Sequence, residues 1–176
     1  KILARIFGEL KERGLLPLSS APAAEVRAIA ERIMDSLLES FPAEASVGYP
    51  LFWDMERRLV RESVLLFLEE ERLETADLTP ELFERPFGGE RDRLDVPFEC
   101  GGRQVLFRGR IDRIDTAPDG RFRVVDYKTG KLYGKDQDLA RGSALQLPVY
   151  LLAAARILGL DPRRGEARYR RVGTGD

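Results

Sequence analysis

Two short stretches hold residue types that could do chemistry together. VVDYKTGK (124–131) runs from an apolar pair into Asp126, Tyr127 and Lys128, then a polar turn. GRIDRID (109–115) places Asp112, Arg113 and Asp115 just upstream. Side chains on a strand alternate with a period of two, so Asp126 and Lys128 project from one face. An acid and a base so placed are either an exposed ion pair at a strand end or a site for an external group such as a metal ion or a phosphate. The turn PDG (118–120) makes the two stretches hairpin neighbours, which brings Asp112 toward Asp126. Converging carboxylates repel unless a cation lies between them or one is protonated. Mg²⁺ takes one or two carboxylates, keeps waters and accepts phosphate oxygens. Beside it, Lys128 would hold an attacking water or steady charge on phosphate oxygens, a design for metal-assisted phosphodiester hydrolysis.

Composition narrows the choices. The chain has 176 residues, no His and one Cys, Cys100. Without His the commonest general base and metal ligand is missing, and so is Ser-His or Cys-His catalysis. One Cys excludes an internal disulfide and any Cys-rich zinc or iron–sulfur site within the chain. It suits a reducing compartment, and a cytoplasmic location is expected. No run approaches the roughly 20 apolar residues of a membrane span. The net charge of −1 hides an asymmetry. Residues 1–100 hold 13 Lys+Arg against 21 Asp+Glu, and residues 101–176 hold 16 against 9. The second half therefore has the sign to face a polyanion.

The elements that must position these residues are legible in outline. Ile2, Leu3, Ile6, Phe7 and Leu10 recur at helical spacing and Gly14 fits a stop. Val26, Ile29, Ile33, Leu37 and Phe41 mark a second helix, with Pro42 just past its end. Leu51 to about Leu73 reads as a third, with Phe52, Met55, Leu59, Leu66 and Phe67 inward. Phe52 and Trp53 are expected to pack between helices. Near Pro80 the pattern changes. Residues 82–87 are extended, since Pro86 biases its predecessor away from helix. Residues 96–100, a Gly101-Gly102 turn and 103–115 read as a hairpin, and 121–128 as the next antiparallel strand. Residues 143–159 return to helix and Gly159 stops it. Its start is open: Ser143 and Gln146 fit a capping box, yet Pro148 suits the first helical position. Residues 166–172 read as a last strand. This is an α/β (mixed α+β) chain: a central mixed sheet flanked by helices, with an N-terminal helical part. The expected division is a helical part over 1–79 and a catalytic core over 80–176. The two form one compact domain, a piece of a longer protein.

Asp112, then Asp126-Tyr127-Lys128, then QLPVY (146–150), in this order and spacing, resembles the PD-(D/E)xK nuclease superfamily. Within it the chain is most similar to RecB-type and AddB-type exonuclease domains. The likeness covers about residues 80–172. It implies a restriction-endonuclease-like fold and a deoxyribonuclease using Mg²⁺ or Mn²⁺ on DNA ends. It further implies work beside a helicase subunit or domain in recombination and repair. Asp112 and Asp126 would be metal ligands, with the Tyr127 backbone carbonyl a third, and Lys128 the catalytic lysine. Gln146 and Tyr150, one helical turn apart, would face the site and the nucleic acid. Gln146 also reads as a simple cap, and Tyr150 as an ordinary core aromatic. Glu84 in FERPF resembles the acid before the family's hairpin, or is a plain edge charge. Arg113 is a candidate DNA contact, and Asp115 shapes the turn or pairs with Arg113. Arg163, Arg164, Arg168, Arg170 and Arg171 either track phosphates or form a solvated basic tail.

Two features depart from the family. RecB-type domains usually carry a His just before an amphipathic run like KILARIFGEL, so the expected place for it is immediately upstream of Lys1. Some relatives carry an iron–sulfur cluster, which this chain's one Cys does not supply. The rival reading is a non-catalytic DNA-binding or scaffolding module that keeps the nuclease fold.

Overall fold

A computed structural model describes residues 1–44, 49–74, 77–88, 96–129 and 145–173. Backbone contacts divide the chain into two compact units, Lys1–Ala76 with Arg171–Asp176, and Asp77–Arg170.

The first unit is helical: α1 (Ile2–Glu12), α2 (Ala23–Glu44) and α3 (Pro50–Leu73), with α1 packed on α2 and α2 on α3. In α1 the periodic residues Leu3, Ile6, Phe7 and Leu10 are buried, as their spacing requires. Gly14 follows with φ of 69°, a conformation that suits glycine after a helix end. Two expectations fail here. Pro42 lies inside α2 and not beyond it. In α3 the buried residues are Val64, Phe67, Leu68 and Glu71, at i, i+3, i+4 and i+7 of its C-terminal half. Phe52, Met55, Leu59 and Leu66, expected inward, are exposed, Phe52 by 63%. The helix carries two apolar stripes, and periodicity alone does not say which one is covered. Trp53 stacks on Phe41, ring centroids 5.3 Å apart.

The second unit is built on a four-stranded sheet in the order β1 (Thr79–Phe87), β4 (Gly109–Thr116), β5 (Phe122–Lys128), β6 (Gly165–Arg171). A separate two-stranded sheet pairs β2 (Val96–Cys100) with β3 (Arg103–Phe107). The expected single strand over 103–115 is thus two strands in two sheets, divided at Arg108. Gly88, at φ 68°, lies so close that an added Cβ would stand 2.3 Å from the Phe107 carbonyl oxygen. Glycine at 88 is what permits this close passage.

Helix α4 (Gln146–Leu158) lies between β5 and β6 in the chain. It starts at Gln146, with Leu145 as its N-cap; Ser143 lies outside the described residues. Pro148 falls in the first turn, where helical N–H groups have no intrahelical partner and a missing one costs nothing. Gly159 closes the helix in the left-handed conformation, φ 68°. Ile114, Phe122 and Val124 of the sheet share one core with Val149, Ala153 and Ala154 of α4.

Two outcomes follow. Phe67→Ala lowers unfolding stability by about 3–5 kcal/mol, whereas Leu59→Ser on the exposed stripe changes it by about 0.5 kcal/mol or less; urea denaturation compares them. At Gly165 an added Cβ would meet the Phe122 ring at 2.2 Å. Gly165→Ala therefore costs about 1–3 kcal/mol by overpacking, read in the same way.

Candidate active site

The β4–β5 register decides where the acids meet. Arg113 pairs with Val125 and Ile114 with Val124. Continuing by one residue sets Asp112 opposite Asp126, and directly opposed residues share a face. On the other side of β4, Glu84 falls between the paired positions Phe83–Arg113 and Arg85–Ile111, opposite Asp112. Glu84, Asp112 and Asp126 thus form one row across three strands. Glu84 has φ of 48°, rare for a residue with a Cβ, and its carboxylate lies 3.3 Å from Arg110.

Asp126 is 3% exposed. Its Oδ1 accepts a hydrogen bond from Gln146 Nε2 at 2.8 Å, and its Oδ2 lies 2.5 Å from Lys128 Nζ. Lys128 Nζ also donates to Gln146 Oε1 at 3.1 Å. One amide therefore bridges both ends of the acid–lysine pair, and the capping reading of Gln146 gives way to a site contact. Asp112 Oδ2 accepts the Tyr127 backbone N–H at 2.8 Å, which ties the two strands at the residue between Asp126 and Lys128. Burial pushes the Asp112 carboxyl above the usual aspartate range, and the negative charges of Asp126 and Glu84 add to the push. The Tyr127 N–H and the Lys128 ammonium oppose it.

Other candidates go elsewhere. Arg113 is 2% exposed, so the expected DNA contact is not available to it. It projects from the opposite face, against Asp115, whose side chain is equally buried; Nη2–Oδ2 is 3.0 Å and Nε–Oδ1 2.7 Å. Truncating one partner of such a pair strands a buried charge, at a cost of about 3–5 kcal/mol. Tyr150 places its ring edge-on to Phe87, centroids 5.7 Å apart, on the core side of α4. Arg163 contacts Asp161, and Arg164 donates to the Asp119 carbonyl. Sequence reasoning missed Tyr169 of β6, whose ring centroid lies 5.2 Å from Lys128 Nζ. Its signal was the strand neighbour of β5, and the β5–β6 pairing leaves no local mark in the sequence.

Among the described residues no three His, Cys, Asp or Glu side chains gather closely enough to cage a metal. The donor set is two carboxylates with a lysine beside them. That suits a hard cation which keeps waters and takes substrate oxygens, and not a closed structural site. Residues 1–175 match the family model of the PD-(D/E)XK nuclease superfamily. The chain belongs to that superfamily. Its fold is accordingly restriction-endonuclease-like. Similar proteins include an ATP-dependent helicase/deoxyribonuclease subunit of Symbiobacterium thermophilum, 37% identical over 137 residues, which cover 69% of this chain and 11% of that protein. The protein of the same name from Moorella thermoacetica is 34% identical, over 74% of this chain and 12% of that protein. That from Clostridium perfringens is 29% identical over 86% and 13%. The chain thus spans only a small part of the length of these relatives.

The raised Asp112 carboxyl has a consequence for stability. A carboxyl that holds its proton more tightly when folded contributes stability fully below the unfolded aspartate pKa, about 3.9. That contribution is lost as pH rises through the raised folded value. Asp112→Asn removes the ionisation and keeps an acceptor for the Tyr127 N–H. In chelator the variant melts above wild type at neutral pH, and the gap closes toward pH 3. Thermal melts across that range check it.

Proposed function

We propose that the chain is the nuclease part of a DNA-degrading, helicase-associated protein that hydrolyses phosphodiester bonds with Mg²⁺ or Mn²⁺. The observation that carries this reading is the cluster on one face of the sheet: Asp126, Lys128 and Gln146 joined side chain to side chain, with Asp112 accepting the N–H of the intervening Tyr127. The names of the similar proteins support a helicase partner and DNA as substrate. The family and the two-carboxylate donor set support a divalent cation.

In this reading Asp112, Asp126 and the Tyr127 carbonyl hold the cation. When bound, it polarises the phosphate and makes a bound water more acidic. The protein's own residues do the rest. Lys128 is held by Gln146 and by Asp126, so its ammonium is preorganised to position the attacking water and to steady charge on the phosphate oxygens. The Tyr127 N–H fixes the Asp112 carboxylate in one orientation and removes the need to reorganise it during the reaction. The repulsion between half-buried Asp112 and buried Asp126 gives a cation a reason to enter. An exonuclease acting on DNA ends in recombination and repair, in the cytoplasm, is the physiological role that fits.

The test is degradation of end-labelled linear duplex and single-stranded DNA by the full-length protein, with closed circular DNA as the control for internal cuts. Cleavage requires Mg²⁺ or Mn²⁺ and spares the circle. Lys128→Ala and Asp126→Ala each lower the rate roughly 100-fold or more. DNA binding without cleavage by the wild type, with metal present, would instead favour a scaffolding module.

A further inference from the structure

The face of the sheet behind the site holds a buried polar cluster that the proposed reaction does not use. Arg113 and Asp115 stand two apart on β4, on one face, and both are almost fully buried, 2% and 1% exposed. Tyr127 lies diagonally across on β5 and belongs to the same face. Arg113 Nη1 donates to the Tyr127 hydroxyl oxygen at 3.1 Å, and the guanidinium carbon lies 5.9 Å from the ring centroid. Tyr127 is the residue between Asp126 and Lys128. Its side chain is gripped from behind while its backbone N–H is bonded to Asp112 in front.

We propose that Arg113 is a positioning residue. Oriented by Asp115, it holds Tyr127 through the hydroxyl and so sets the spacing of Asp112, Asp126 and Lys128 on the opposite face. A buried ion pair is an expensive way to fill a core, and a hydrophobic pair of similar volume would do as well for stability. What Arg113 adds is direction. A planar fork with one arm on Asp115 and another on the phenol leaves the Tyr127 ring one position, and the peptide of Tyr127 follows its ring. Outer contacts of this kind orient the groups that hold a metal, and the proposal rests on the reading of the site given above.

Tyr127→Phe is the cleanest probe, because it deletes one oxygen and leaves the ring and the Arg113–Asp115 pair. Arg113→Lys keeps the charge and loses the fork. Mn²⁺ binding by calorimetry in the absence of DNA, kcat and KM for linear DNA, and a thermal melt are measured on the full-length wild type, both variants and Asp126→Asn. The expected result for Tyr127→Phe is a folded protein that binds Mn²⁺ roughly 10-fold more weakly and shows a similar fall in kcat, with KM for DNA unchanged. Arg113→Lys lies between it and wild type, and carries the test if Tyr127→Phe melts early. Folded variants that bind Mn²⁺ and turn over as wild type does, or that change only KM, overturn the proposal. A wild type that neither binds Mn²⁺ nor cuts DNA overturns the reading of the site, and the proposal with it. Loss of Mn²⁺ binding in Asp126→Asn but not in either positioning variant overturns the proposal alone.

Discussion

A carboxylate row across three antiparallel strands is electrostatically costly, and the second unit of this protein is organised around one. Asp112 stands between Asp126 on one strand and Glu84 on the other, partly withdrawn from water. Like charges at neighbouring positions are disfavoured across strands. The compensation is local. Asp126 has an ammonium and an amide against its two oxygens, Asp112 has a backbone N–H, and Glu84 has Arg110 beside it. None of this removes the charge from Asp112, whose proton affinity remains raised. In our proposed reading the remaining cost is what a divalent cation relieves.

The surrounding fold keeps the row in register. Small residues on α4, Ala153 and Ala154, let the helix approach the sheet over Ile114 and Val124. That approach brings Gln146, at the first turn, over the end of β5, where it spans Asp126 and Lys128. A one-residue slip of β5 against β4 would turn Asp126 and Lys128 to the opposite face. Phe122 and Val124 lie on the same face as Asp126 and Lys128, so one face carries the core at one end and the site at the other.

Much of this was legible in the residues alone. Period-two alternation put Asp126 and Lys128 on one face, the PDG turn made β4 and β5 neighbours, and Gly159 marked the end of α4. What was not legible has physical causes. The pairing of Arg113 with Asp115, two residues on along one strand face, was among the sequence readings, but Arg113 still read as a candidate DNA contact because its burial and its contact with Tyr127 across the sheet arise only in three dimensions. The break at Arg108 falls where Gly88 passes close by, a contact between segments distant in sequence that local pattern does not reveal. Helix α3 was read as burying Phe52, Met55, Leu59, Leu66 and Phe67, of which only Phe67 is buried, because spacing marks apolar residues without showing which of them a neighbour covers. Gln146 fits a cap by spacing, and only the approach of β5 shows its side chain turned to the acid–lysine pair.

Asp112 is held half-buried beside the negative charges of Asp126 and Glu84, and titration of its side-chain carboxyl by ¹³C NMR in chelator tests this most directly. The expected midpoint lies above the ordinary aspartate value of about 3.9 and moves down when Asp126 is replaced by Asn. A midpoint at or below the ordinary value, or one indifferent to Asp126→Asn, would contradict it.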